Sequence, residues 1–433
     1  MTPTDLTPDP APSRRRFLQG SGLLAAAATL GVGGGLGVHA ATRPRTALVP
    51  SADEAGAPSI GTNVVPFHAS RQAGVAKPAQ AHLVLTALDV RPGLIRPDLV
   101  ALLKRWTTAA AAMTRGEPPE LDGHEADGLG PASLTVTVGF GSSLFATQGP
   151  ASELGLARHR PAALVDLPTF RGDRLLPAHT GGDLIVQACA DDPIVAWHAA
   201  RTLVRLGRDQ VGVRWQQRGF SRVPGVARDP ASTRRNLLGQ LDGSNNLLPG
   251  TAVVDEHVWI TGPTDPDEPA WMHEGTYLVA RRIRMHLDAW DRISPHQRDL
   301  TLGRKVDGGA VSGGAEHDPV DFSDRPAAGE KVPANAHIRL ANLAFNNGAR
   351  MLRRGYGFDD GVLRADDGSA IPDAGLLFMA FQRDPRTGFV PVQQRLAAAD
   401  ALNAFTVHVG SALAAIPPGA RAGEYLGQTL LEA

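Results

Sequence analysis

DLIVQACADDP (residues 183–193) and LLFMAFQRDP (residues 376–385) share one design, and that design decides the fold. Each is a short apolar run closed by an acid and a proline. A short apolar run bounded by turn residues reads as a buried strand. Asp followed by Pro reads as a helix cap with proline in the first helical turn. After the first copy a helix is expected from Ile194 to about Leu206. After the second, one is expected over roughly Ala397 to Ala414. Working outward from the first copy, His82 to Val90 reads as a strand. Pro97 opens a helix to about Met113, with Leu99, Leu102, Leu103 and Trp106 at helical spacing. Ser133 to Phe140 alternates with period two, as a half-buried strand does. Val211 to Gln217 closes this half. The order is βαββαβ, the ferredoxin-like arrangement. The second half offers a strand over Thr276 to Met285, a helix from Leu287 to about Leu300 and a strand over Leu376 to Gln382. The expectation is an α+β protein of duplicated ferredoxin-like units, packed as a two-lobed, barrel-like body. The units are placed at residues 79–230 and 231–433. Residues 41–78, rich in Ala, Pro, Ser and Thr, read as a linker or arm. The stretch from Asp299 to Arg350 is Gly-rich and irregular, and loops that long tend to be functional or disordered.

Residues 1–40 read as an address. SRRRFL (residues 13–18) precedes an uncharged Gly/Ala-rich stretch from Leu23 to Val38, and small residues follow before Ala41. Basic start, apolar run and small-residue cleavage site together make a signal peptide. The paired arginines before Phe-Leu match the twin-arginine type. That route carries folded proteins, which suits a cofactor inserted before export. The expected location is periplasmic or extracellular, without stable membrane insertion once the signal is cleaved. The 433-residue chain is 42% hydrophobic and 20% charged, ordinary globular values. Its 43 basic and 44 acidic residues give no reason to expect nucleic acid as a partner. The single cysteine, Cys189, excludes an intramolecular disulfide or a Cys-rich metal cluster from this chain alone. It reads as a small buried apolar residue, with a thiolate ligand as the sharper alternative.

Three segments carry candidate chemistry. GQLDGSNN (residues 239–246) sets one carboxylate, Asp242, between glycines that permit close backbone approach. An ordinary Asp-Gly turn would look the same. AHIRLAN (residues 336–342) places His337 among apolar residues, as a metal ligand or as a satisfied core histidine. RMLRRGYGF (residues 350–358) is either a solvated basic face or the anion-facing wall of a pocket.

The ordered set of these segments, with HTGGDLIVQACADDP, HEGTYLVARRIRMHLDAWD and GLLFMAFQRDPRTGFVPVQQRL, resembles the dye-decolorizing peroxidase family. The resemblance runs from about residue 80 to the C-terminus. The twin-arginine signal points to the exported branch of that family, which also contains deferrochelatases. The resemblance implies haem b, hydrogen peroxide and small reductants such as dyes and phenols, and leaves a homo-oligomer open. Residue by residue, it implies Asp242 as distal acid/base, His337 as axial iron ligand and Arg353 as the distal arginine that holds peroxide and then the ferryl oxygen. Arg354 is the rival, and the spacing from His337 leaves both open. Haem contacts are implied at Gly243, Ser244 and Asn245, at Asn342, Leu343 and Ala344, and at Arg304 as a propionate partner. Asp400 is the candidate acceptor for the second ring nitrogen of His337. A carboxylate base has a reference pKa of about 4 against about 6.5 for histidine, so an acidic optimum is expected. Dyes too large to reach a buried haem would need a relay, for which Tyr356, Trp259 and Trp271 are candidates. A haem-delivery protein would need His337 alone. A chlorite-splitting haem protein would have the arginine without the aspartate.

Overall fold

The computed structural model describes residues 60–223, 226, 232–262, 265–364 and 368–433. The expected signal and the start of the arm therefore lie outside the described residues. Among the described residues, nine strands form one antiparallel sheet: β1 His82–Val90, β2 Thr135–Gly141, β3 Leu184–Ala190, β4 Val211–Phe220, β5 Thr276–Met285, β6 Leu352–Arg353, β7 Tyr356–Arg364, β8 Ala370–Gln382 and β9 Thr406–Ile416. Their order is β5-β9-β2-β3-β1-β4-β7-β8-β6, and a further β5–β8 pairing closes the sheet into a barrel. Within the first half the order β2-β3-β1-β4 is that of a ferredoxin-like unit, and β7-β8-β5-β9 repeats it in the second. The halves join where Phe140 pairs with Ala415 and where Phe220 pairs with Gly357.

The first unit forms as its sequence suggests. Asp192 caps the helix Pro193–Leu206, its side chain accepting from the backbone nitrogens of Ile194 and Val195. That helix and Arg96–Met113 cover the outer face of the first unit. Leu99, Leu102, Leu103 and Trp106 are all buried there, with Val138, Phe140 and Leu184.

The second unit departs from expectation in three places. The helix expected over Ala397 to Ala414 is instead a helix Phe389–Ala399, a short 3-10 turn and strand β9. Alanine favours helix locally, but β9 pairs along its length with β5 and again with β2, and tertiary pairing overrides propensity. The second Asp-Pro does not cap a helix directly. Asp384 accepts from Arg386 N, and the helix begins at Phe389. The helix expected from Leu287 to Leu300 is two helices, Leu287–Arg292 and Pro295–Leu302. Ser294 and Gln297 cap the second reciprocally, and Pro295 takes its first position. The arm also packs earlier than its composition suggests. Gln72 is buried, its Nε2 donating to Val138 O and Pro417 O.

Strand β5 carries two adjacent buried arginines pointing to opposite faces. Arg281 faces outward to Asp173, Ser411 and the Phe170 ring. Arg282 points into the barrel, bonded to Gln217, Asp360 and both oxygens of Asp373. Burial opposes ionisation of Asp373, but the Arg282 bonds and the charges of Arg282 and Arg284 hold its carboxyl below the usual range. A lowered folded-state value means stability that is present at neutral pH and lost as pH falls through it. Asp373→Asn is therefore expected to cost about 3 kcal/mol at neutral pH, the low end for breaking a buried pair because Asp360 remains. Denaturant unfolding at neutral pH and near pH 3 checks this: the difference between wild type and variant should shrink in acid.

Cys189 is fully buried among Leu83, Ile185, Leu278 and Phe381 in the barrel interior. Burial pushes its thiol up despite the Arg354 charge nearby, which removes the thiolate-ligand alternative.

Candidate active site

The distal loop is built by its own backbone. Asn236 N donates to Gln240 O and Gly239 N to Asn236 O, closing a tight turn. Asp242 N donates to Arg234 O and Asn246 N to Gly243 O. Gly243 has φ +138°, which side-chain-bearing residues rarely adopt, and a Cβ there would lie 3.4 Å from the Thr233 methyl. This geometry holds Asp242 at the surface of the loop, with Asn236 Nδ2 at 3.5 Å from its Oδ2.

The two arginines diverge at the end of β6. Arg353 extends a nitrogen to Asp242 Oδ1 at 3.1 Å. Arg354 turns the other way and is buried, donating to Lys77 O and the Gln80 side chain. Arg353 is held by a residue that sequence reasoning passed over. Asn246 accepts from Arg353 N at 2.9 Å and donates to Arg353 O at 2.7 Å, a two-point clamp on its backbone. The second asparagine of the GSNN run was the available signal. Its neighbour Asn245 is exposed.

On the other side, His337 opens the short helix His337–Ala341. Its Nδ1 lies 2.6 Å from Asp400 Oδ2. Asp400 is buried at the end of helix Phe389–Ala399, and its other oxygen accepts from Leu402 N. Burial alone would lower the imidazole's pKa, but the Asp400 charge and hydrogen bond outweigh it and raise it above the ordinary value. With Nδ1 so occupied, Nε2 has no hydrogen-bond partner among the described residues. The side chains of His337, Arg353 and Asp242 are 33%, 33% and 27% exposed. The charges of Arg353 and Asp242 both act on the His337 imidazole, so the pair lies near it.

The remaining candidates sit in the same walls. Ser244 O accepts from His317 Nδ1 at 3.1 Å. Asn342 caps the turn Leu343–Phe345 by accepting from Ala344 N, and its own carbonyl accepts from Asn346. Leu343 is half-buried and Ala344 exposed. Arg304 is half-buried and braces the long loop, one nitrogen donating to Gly308 O and Glu316 O. Gly308 in turn packs against Leu241, so that loop backs the distal wall.

The donor set fits haem. A free imidazole nitrogen oriented by a carboxylate is a normal axial donor, and an acid–base pair lies near it. Comparison with known proteins agrees. The model of the Dyp-type peroxidase N-terminal region matches residues 72–221, and that of the C-terminal region matches residues 233–421. The chain belongs to the Dyp-type peroxidase family. It is 43% identical to a dye-decolorizing peroxidase of Thermobifida fusca, over 97% of each chain. It is 33% identical to a deferrochelatase of Yersinia pestis, over 98% of this chain and 96% of that one. A crystal structure of a DyP-type peroxidase from Streptomyces coelicolor superposes with a TM-score of 0.80 at 43% identity, covering 87% of this chain and 99% of that one. As a Dyp-type peroxidase the chain is a haem-binding oxidoreductase that acts on hydrogen peroxide and a reductant.

Proposed function

We propose that the chain oxidises phenols, dyes and similar small reductants with hydrogen peroxide, using haem b held by His337. The observation that carries this is the Asp242–Arg353 pair, 3.1 Å apart, together with a His337 whose Nδ1 is held by Asp400. Haem, when bound, supplies the iron at which the O–O bond is reduced. The chain's residues do the rest. Asp242 takes a proton from one peroxide oxygen and delivers it to the other, directly or through a water. Arg353 is cationic at any working pH and holds the negative charge that builds on the peroxide. Asn246 keeps Arg353 in place from behind. Asp400 accepts from Nδ1 and so leaves Nε2 as the nitrogen that would hold the iron. Gly243, Ser244, Asn245, Asn342, Leu343 and Ala344 line the two walls, and Arg304 is the proposed partner for a propionate. The N-terminal segment directs export by the twin-arginine route. Among the described residues, no helix is long and apolar enough to cross a membrane.

The deferrochelatase relatives make haem iron release the second reading. It needs His337 and leaves Asp242 and Arg353 without work. The test is a haem titration followed by peroxide and a phenolic dye. A Soret band that shifts on adding peroxide, with dye oxidation persisting to about pH 4 where a histidine base would already be protonated, is the expected result. Free iron and intact porphyrin, without dye oxidation, would favour the second reading.

A further inference from the structure

Tyr277 and Glu268 are joined to each other and used by nothing described above. Tyr277 is fully buried at the start of β5, and its hydroxyl donates to Glu268 Oε2 at 2.6 Å. The other Glu268 oxygen accepts from Ala163 N at 3.1 Å. Tyr277 also shares the outer face of the sheet with Arg353. Arg353 lies opposite Ala380, Ala380 opposite Val279, and Gln382 opposite Tyr277. Residues opposite one another in an antiparallel pair share a face. Two strands across and two residues along put the Cα atoms of Arg353 and Tyr277 on the order of 12 Å apart.

A peroxidase needs electrons, and a phenol supplies one cheaply only if its proton can leave at the same time. Oxidising a phenol makes its proton strongly acidic. Without an acceptor in reach, a buried cation would remain, and burying an unpaired charge is costly. The hydrogen bond to Glu268 removes that obstacle without moving any heavy atom. The chain's other two tyrosines lack the combination. Tyr356 points into the barrel, where its hydroxyl meets the Cys189 thiol and the Arg354 cation and has no oxygen or nitrogen partner among the described residues. Tyr425 meets Glu432 at 3.1 Å, but the Lys104 ammonium sits over its ring at 5.1 Å and opposes loss of an electron. The tryptophans expected as relays fare no better as first donors. Arg71 lies over the Trp259 ring at 4.7 Å. Trp271 donates to the amide carbonyl of His159, which is no base.

We propose that Tyr277 is the chain's internal electron donor and that Glu268 is its proton acceptor. The inference rests on the peroxidase reading. Tyr277 gives one electron to the site that peroxide has oxidised, and its O–H proton moves to Glu268 Oε2, leaving a neutral phenoxyl radical. An external reductant returns the electron and Glu268 returns the proton. Two such turns supply the two electrons that, with two protons from solvent, reduce one hydrogen peroxide to two waters. Glu268 is half-buried, so it can exchange its proton with solvent between turns.

The experiment is freeze-quench electron paramagnetic resonance on the holoprotein, mixed with equimolar peroxide and no reductant. Ring-deuterated tyrosine identifies a tyrosyl signal by its narrowed hyperfine pattern. Wild type and Tyr356→Phe should show that signal, and Tyr277→Phe should lose it. Glu268→Gln should slow its formation by about a hundredfold, the scale of a positioned proton acceptor, with Glu268→Asp restoring part of the rate. An unchanged signal in Tyr277→Phe, or an unchanged rate in Glu268→Gln, overturns the proposal, since a purely structural bond would move neither. If a variant fails to load haem, peptide mapping of the oxidised tyrosine in the wild-type holoprotein decides: modification at Tyr277 supports the proposal, and modification confined to Tyr356 or Tyr425 overturns it. Peroxide loss is followed in the same samples. A chain that reduces peroxide but forms its radical elsewhere overturns this inference alone, and one that leaves peroxide untouched overturns the peroxidase reading with it.

Discussion

Alanine at position 337 is expected to give a folded chain that no longer retains haem. His337 sits on a helix of five residues and is a third exposed, so little packing depends on its ring. What depends on it is the donor. Its Nε2 has no hydrogen-bond partner among the described residues, and Asp400 at 2.6 Å fixes the ring through Nδ1. Asp400→Asn should act in the same direction with a smaller effect, about 10–100-fold in haem affinity, the usual scale for a partner behind a metal ligand. The asparagine can still meet Nδ1 but brings no charge to increase the ring's basicity. Haem titrations followed at the Soret band measure both, and thermal unfolding of the haem-free chains checks the fold. Added imidazole should restore a Soret band to His337→Ala. Full haem loading of His337→Ala with an unshifted band would remove His337 from the site.

Much of this was legible in the sequence, and the parts that were not have physical reasons. The first unit reads cleanly because its signals agree: apolar runs form β1 to β4, and Asp192-Pro193 caps a helix in fact as well as in pattern. The second unit misleads where signals conflict. The Ala-rich run before Ile416 prefers helix locally, but strands on both sides claim it. β7 went unread because its exposed half, around Asp359 and Asp360, carries no apolar alternation. At the site, residue types alone left His337 and Asp242 as an ordinary core histidine and an ordinary turn; the family resemblance implied their roles and put Arg353 ahead of Arg354 without deciding between them. In the structure the two side chains part, one going to Asp242 and the other to Lys77 and Gln80. Asn246 acts only through the backbone of a residue 107 positions away, a contact that no local pattern encodes.

Removing either member of the distal pair should disable peroxide reduction while leaving haem in place. Arg353→Leu takes away the cation that meets developing negative charge, and loss of one such donor costs about 10²–10³ in rate. Asp242→Asn keeps the shape and loses the proton shuttle, for about 10²–10⁴. The two should not add. Arg353 and Asp242 touch at 3.1 Å, and each acts on the same peroxide, so the double variant is expected to fall little below the worse single one. Arg353→Lys separates charge from geometry: it keeps the cation but loses the planar fork, so it should recover only part of the rate. Asn246→Ala leaves both side chains intact and frees the backbone that carries one of them. If placement of the guanidinium matters, this variant loses activity toward peroxide without losing haem. Stopped-flow measurement of the peroxide reaction on each haem-loaded variant separates these effects from cofactor loss. Wild-type rates in Arg353→Leu would mean that the pair is a structural ion pair at the rim of the site. Strictly additive losses would mean that the two residues serve different steps.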